Sequence, residues 1–180
     1  MDRRALLEEL GLYVALDATE EEMRGRMHAF VEKHEDCFRR SLLIGHITSS
    51  CWIVDPERGR ALLTWHKRLN RWLQMGGHVE LDDATLLDAA LREAREESGL
   101  QRVRPVSAAI FDVDVHPIPA RKDEPEHFHY DVRFLFEADP EESLIVSAES
   151  RALAWVALHE VIERNPDASM RRMVSKTPAR

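Results

Sequence analysis

Glu93, Glu96 and Glu97 stand three and four residues apart in a segment with helical periodicity. On a helix this spacing gathers the three side chains on one arc. Carboxylates so close repel one another, and the helix gains nothing by it unless they share a cation. A hard divalent ion removes the repulsion, since Mg²⁺ takes oxygen ligands and keeps waters that phosphate oxygens can replace. The plainer alternative is a solvated charged face, with Arg92 and Arg95 as partners.

The surrounding residues bear on that choice. Leu86, Leu87, Ala90, Leu91 and Ala94 form an apolar stripe beside the acidic arc, so one side of the helix packs on a core. Asp82 or Asp83 is placed to cap its start. The helix runs to about Ser98, and Gly99 stands where a helix C-terminus favours glycine. Gly76-Gly77 breaks the pattern upstream.

This arrangement resembles the Nudix box, G-x5-E-x7-R-E-U-x-E-E-x-G-U, with U aliphatic. The second half matches at Arg92, Glu93, Ala94, Glu96, Glu97, Gly99 and Leu100. The first half departs from it. Fifteen positions separate Gly77 from Arg92, where the pattern has fourteen. Asp82 or Asp83 replaces the first motif glutamate. The extra residue is placed in the loop Leu81-Asp82-Asp83, where an insertion costs little.

The resemblance covers roughly residues 42 to 165. It implies an α+β fold, a mixed sheet sandwiched between helices, and hydrolysis of a nucleoside diphosphate linked to another moiety. By the same resemblance Glu93, Glu96 and Glu97 hold Mg²⁺ or Mn²⁺, helped by the backbone carbonyl of Gly76. Arg92 would orient the carboxylates, and Glu80 is a further acidic candidate. Such ions neutralise phosphate charge and lower the pKa of a bound water, and a nearby carboxylate can take its proton. Glu96 or Glu97 is the first choice for that base; Glu142 and Glu149, in the loop before the last strand, are the distant alternatives.

Two rivals share the fold. An isopentenyl-diphosphate isomerase resembles this chain in length but needs a cysteine in the loop beside the helix. That loop reads Met75-Gly76-Gly77-His78-Val79-Glu80, while Cys51 falls on an earlier predicted strand. A non-catalytic nucleotide-sensing module would have no need of all three glutamates.

Other elements must position this helix. Residues 1–41 read as a helical N-terminal extension, ahead of a catalytic domain over 42–180. Within the extension, a short helix is predicted around Leu6, Leu7 and Leu10. A second is predicted from a capping box at Thr19 and Glu22, with Met23, Met27, Phe30 and Val31 at helical spacing. Ile47 to Val54 and Ala61 to Trp65 read as strands around the turn Asp55–Gly59. A short strand near 152–156, a helix near 159–164 and a loose tail over 175–180 complete the chain.

The remaining chemistry lies in two places. Lys67, Arg68 and Arg71 form a basic, irregular segment that suits phosphate oxygens or serves solubility alone. Two strands alternate polar with apolar residues: Asp112, Asp114 and His116 in one, His127, His129, Asp131 and Arg133 in the other. Paired as a hairpin, joined by the loop 117–126, they would bring the histidines and aspartates together. That face is expected to be half-exposed, a wall for base, sugar or phosphate in which His127, His129 and Asp131 bind substrate. A second metal site, for zinc or manganese, is the other reading of the same residues.

Composition limits the partners. With 180 residues, 44% of them hydrophobic and 32% charged, the chain can bury a real core. A net charge of −8 disfavours long nucleic acid, which wants a basic face, but not a small phosphorylated substrate met through a metal. Two cysteines without metal-type spacing read as reduced thiols. No segment suits a membrane span, so the expected setting is cytoplasmic. A homodimer through the extension is compatible with all of this.

Overall fold

The computed structural model describes residues 1–121 and 124–180; Lys122 and Asp123, in the predicted loop 117–126, lie outside the described residues. β1 (Gly45–Val54) is buried along its whole length. It runs parallel to β7 (His127–Glu137), paired from Gly45–Phe128 to Val54–Glu137. This pair is the spine of a mixed eight-stranded sheet.

Each spine strand shares its free edge between two partners. β4 (Met75–His78) pairs with Thr48–Cys51 of β1, and β2 (Arg60–His66) with Ile53 and Val54. β6 (Asp112–Ile118) and β5 (Arg104–Pro105) divide the far edge of β7 in the same way. β3 (Arg71–Leu73) and β8 (Ser150–Ala157) both pair with β2.

Helices cover both faces. α1 (Arg3–Leu12), α2 (Ala18–Lys33) and α3 (Leu86–Ser98) pack on one, where Ile47, Cys51, Val132 and Phe134 meet Leu10, Met27, Phe30 and Ala90. Phe30 stacks on Tyr130, ring centroids 3.9 Å apart. The N-terminal helices thus share the core of the sheet. α4 (Leu158–Arg164) and α5 (Ala168–Lys176) cover part of the other face at Trp52 and Leu135. The α+β sandwich expected from the sequence is the observed architecture. Among the described residues no helix is long and apolar enough to cross a membrane.

Three local expectations are corrected. Thr85, not Asp82 or Asp83, caps α3: its hydroxyl accepts from the Asp88 N–H, and Asp88 accepts from the Thr85 N–H, both at 3.1 Å. Asp17 caps α2, accepting from the Glu20 N–H at 2.8 Å; Thr19 already lies inside the helix. Ser175 and Lys176 are not tail but the end of α5. Buried Met170 and Met173 anchor that helix, and the Trp52 Nε1–H donates to Thr177 just beyond it, at 2.9 Å.

Candidate active site

The glycine pair and the acidic helix face each other because β4 leads the chain along β1 and α3 packs across the same strands. The Gly76 N–H donates to Glu97 Oε1 at 3.0 Å. A Cβ at Gly77 would stand 2.5 Å from Glu93 Oε1, and Gly76 itself has φ +153°. At Gly76 the positive φ and the closeness of Ser50 of β1 require glycine, and at Gly77 the missing side chain leaves room for the Glu93 carboxylate.

Burial sets the electrostatics. Glu97 is 9% exposed. Desolvation pushes its carboxyl up to about 7; the Gly76 N–H works against this, and Glu93, Glu149 and Glu96 add to it. Glu93 is raised as well, chiefly by burial, although Arg92 opposes the shift. The site therefore carries a surplus of negative charge that the protein does not neutralise. Oxygen donors, crowding and that surplus fit a hard divalent cation.

Arg92 ties the site together. Its guanidinium donates to Asp83 at 3.1 and 3.0 Å, to Glu93 at 2.9 Å, to Glu96 at 3.2 Å and to the His78 carbonyl at 2.9 Å. Asp83 also accepts from the Glu80 N–H at 2.8 Å. Of the two candidate aspartates, Asp83 is thus the one that braces the loop against the helix.

Glu149 is exposed and lies close enough to raise both Glu93 and Glu97. The basic turn holds its loop: Lys67 donates its backbone N–H to the Glu149 carbonyl at 3.0 Å and its ammonium to the Ala148 carbonyl at 2.7 Å. Arg71 pairs with Asp167 at 2.7 Å. Arg68 is exposed and has no ion-pair partner among the described residues. Glu142 sits elsewhere, accepting from the Gln101 N–H at 2.7 Å. Cys51 is fully buried, donates to the Met75 carbonyl, and has its thiol pushed well up by desolvation and the nearby glutamates. A nucleophilic or acid–base cysteine needs the opposite environment.

The polar strand face departs from expectation. It is not half-exposed: Asp112, Asp114, Asp131 and Arg133 are buried. Asp131, expected on the pocket wall, accepts from Thr48 at 2.9 Å, Ser50 at 2.8 Å and Arg133 at 2.8 Å. Arg133 also reaches Asp112 and Asp114, and Arg172 of α5 donates to Asp112 at 2.7 Å. Lys176 pairs with Glu20 of α2 at 2.6 Å. Burial alone would raise the Asp112 carboxyl; Arg172, Arg133 and Lys176 reverse it to below the ordinary range.

At the open end of the same face the histidines converge. His127 and His129 stand 5.2 Å apart, ring to ring, and His116 lies 5.6 Å from His129. The hairpin register predicts that meeting. Sequence reasoning missed His46 and His78, which join them from β1 and β4. His46 faces His129 across the parallel spine, a register that no local pattern reveals.

The family model described as the NUDIX domain matches residues 44–176. Solved structures with the same fold include an Ap4A hydrolase from C. elegans, 18% identical over 72% of this chain and 93% of its own, TM-score 0.58. The E. coli dihydroneopterin triphosphate pyrophosphohydrolase is 15% identical, over 72% and 92%, TM-score 0.56. A MutT protein from Methanosarcina mazei is 20% identical, over 74% and 92%, TM-score 0.54. No curated protein matches the chain by sequence.

Proposed function

The chain belongs to the Nudix family of pyrophosphohydrolases, and from that premise we propose that it cleaves the pyrophosphate bond of a nucleoside diphosphate linked to another moiety, with Mg²⁺ as cofactor. One observation carries this reading: Glu93 and Glu97 are desolvated against Gly76-Gly77 and left with uncompensated charge. Nothing in folding favours that arrangement, whereas a cation shared with phosphate oxygens does.

In this reading Glu93, Glu96, Glu97 and the Gly76 carbonyl hold the metal, with Mn²⁺ as a substitute. The ion, when bound, supplies charge neutralisation and an acidified water. Arg92 keeps the carboxylates in register, and Asp83 keeps Arg92 in place. Glu96, whose side chain is 59% exposed beside Arg92, is the first assignment for the base. Glu149 is the alternative, since its charge bears on both Glu93 and Glu97.

Arg68 is the clearest phosphate ligand of the basic turn, with Lys67 and Arg71 beside it. His66, near the charges of Arg68, Arg121, Arg71 and Glu149, marks the side from which an anionic substrate would enter. The domain division follows the same reading: residues 42–180 carry the reaction, and 1–41 are an appended helical element. Buried free Cys37 and Cys51 support a reducing, cytoplasmic setting.

The test is a panel of nucleoside diphosphate derivatives and nucleoside triphosphates incubated with the protein and Mg²⁺, with products identified by mass. Cleavage between the two phosphorus atoms of one substrate class is expected. No hydrolysis of any member, or rearrangement of an allylic diphosphate without phosphate release, would overturn the proposal.

A further inference from the structure

Ligand atoms of His46, His127 and His129 all lie within 4.8 Å of one another. His46 is 1% exposed and neither of its ring nitrogens has a hydrogen-bond partner among the described residues. Nε2 of His127, a residue only 4% exposed, is also unpartnered, as is Nε2 of His78. A buried polar atom left unpaired costs about 1–3 kcal/mol. Four such atoms in one cluster are a large unexplained cost for core histidines. The carboxylate network beside them shows that this fold can pair its buried polar groups.

We infer that His46, His127 and His129 form a second metal site, for Zn²⁺ or a similar borderline transition ion, separate from the carboxylates of α3. Imidazole nitrogen is the ligand such ions prefer, while Mg²⁺ prefers oxygen. Two nitrogens on one tetrahedral zinc stand about 3.3 Å apart, so the three rings would have to draw inward on binding. His127 already has the orientation a ligand needs, with its Nδ1 facing the Pro125 carbonyl at 2.9 Å. A proton there leaves the Nε2 lone pair free, the outer-shell bond that metal-binding histidines use. His116, held by Asp114 at 2.9 Å, and His78, 5.0 Å from His46 ring to ring, stand next to the three.

The ligands come from β1 and β7, so the ion would pin the open end of the parallel spine. His78 follows Gly77 directly, and its carbonyl accepts from Arg92. The site thus adjoins the pyrophosphatase loop through the backbone, with no shared ligand.

Co²⁺ titration in saturating Mg²⁺ tests this. The wild-type protein is expected to bind one equivalent with the visible ligand-field absorption of a low-coordinate nitrogen site, and Zn²⁺ should abolish the band. His129→Gln should weaken Co²⁺ binding by more than about 100-fold, while Glu97→Gln leaves it unchanged. Histidine ¹⁵N resonances of the wild-type protein give a second readout that needs no variant: Zn²⁺ should shift those of His46, His127 and His129. The inference is overturned if no band forms. It is equally overturned if Glu97→Gln removes the band and His129→Gln keeps it, or if a nucleoside monophosphate, but not Zn²⁺, moves the three histidine signals. Because the site is read with Mg²⁺ present, its failure leaves the hydrolase reading standing, and an inactive enzyme that still binds Co²⁺ would leave the histidine site standing.

Discussion

Two clusters of buried carboxylates lie in this molecule, and they are in opposite electrostatic states. Around Arg133, three aspartates and Glu20 meet Arg133, Arg172 and Lys176, and their charges nearly cancel. On α3, Glu93 and Glu96 share Arg92 with Asp83, and Glu97 has no ion-pair partner among the described residues, only the Gly76 N–H. Glu93 and Glu97 are desolvated, as the aspartates of the closed cluster are, while Glu96 is exposed, so burial alone does not set the two clusters apart. The closed cluster holds a helix against the sheet. The open cluster keeps a surplus of negative charge, which the cation of the proposed function would neutralise. The proposed chemistry is therefore assigned to the cluster whose charge is left unpaired, since acidic residues alone do not separate the two.

Removing charge should have opposite effects at the two clusters. The largest effect is expected from Asp112→Asn. It leaves Arg133 and Arg172 short of a buried counter-charge and should destabilise the fold by about 3–5 kcal/mol in chemical denaturation. An unchanged midpoint would break the comparison. Next, Glu97→Gln should lower kcat/KM with Mg²⁺ by about a thousandfold, on the order of 4 kcal/mol of barrier, read from initial rates on the substrate found by the panel.

The same Glu97→Gln variant should be more stable than the wild type without metal. Glu97 has its folded pKa raised from 4.5 to about 7, so its ionised form disfavours the fold. That penalty is absent below pH 4.5, grows as pH rises towards 7, and is complete above it. On the order of 3 kcal/mol is at stake at pH 8, measured as a rise in Tm that saturating Mg²⁺ should cancel or reverse. Asp112 has the contrary sign. Its lowered pKa contributes stability above the ordinary value of 3.8, lost as pH falls further, so Asp112→Asn should differ least from the wild type in strong acid. The smallest effect belongs to neither cluster: Thr85→Ala removes the cap of α3, costs about 1 kcal/mol, and should lower stability more visibly than activity.

The open cluster is legible in the sequence because its signal is local. Glycines, an apolar stripe and three glutamates all fall within one loop and one helix. The insertion near Asp83 is also local, and the bond from Asp83 to Arg92 gives that residue its place. The closed cluster is not legible in the same way, because alternation alone cannot tell a solvated face from one covered by another helix. Its cations Arg172 and Lys176 stand at surface-like positions near the chain's end, the last of them in residues that resemble a tail. Met170, Met173 and Val174 between them carry the amphipathic spacing that identifies α5. No such pattern joins His46 to His129, since their pairing joins strands far apart in the chain.

That long crossing has a kinetic meaning. Thr48 and Asp131 are bonded across a separation of 83 residues, whereas β6 and β7 form a hairpin closed by nearby partners, Ile118 and His127. Loop-closure entropy opposes distant pairings until their contacts are made. The hairpin can therefore form early, bringing His116, His127 and His129 together while the parallel spine is still open. On that argument β1 is expected to complete the sheet in a later, slower step, which brings His46 to the other histidines. The pairing of β1 with β7 is thus the step expected to set the refolding rate, and weakening it should slow refolding more than weakening the hairpin does.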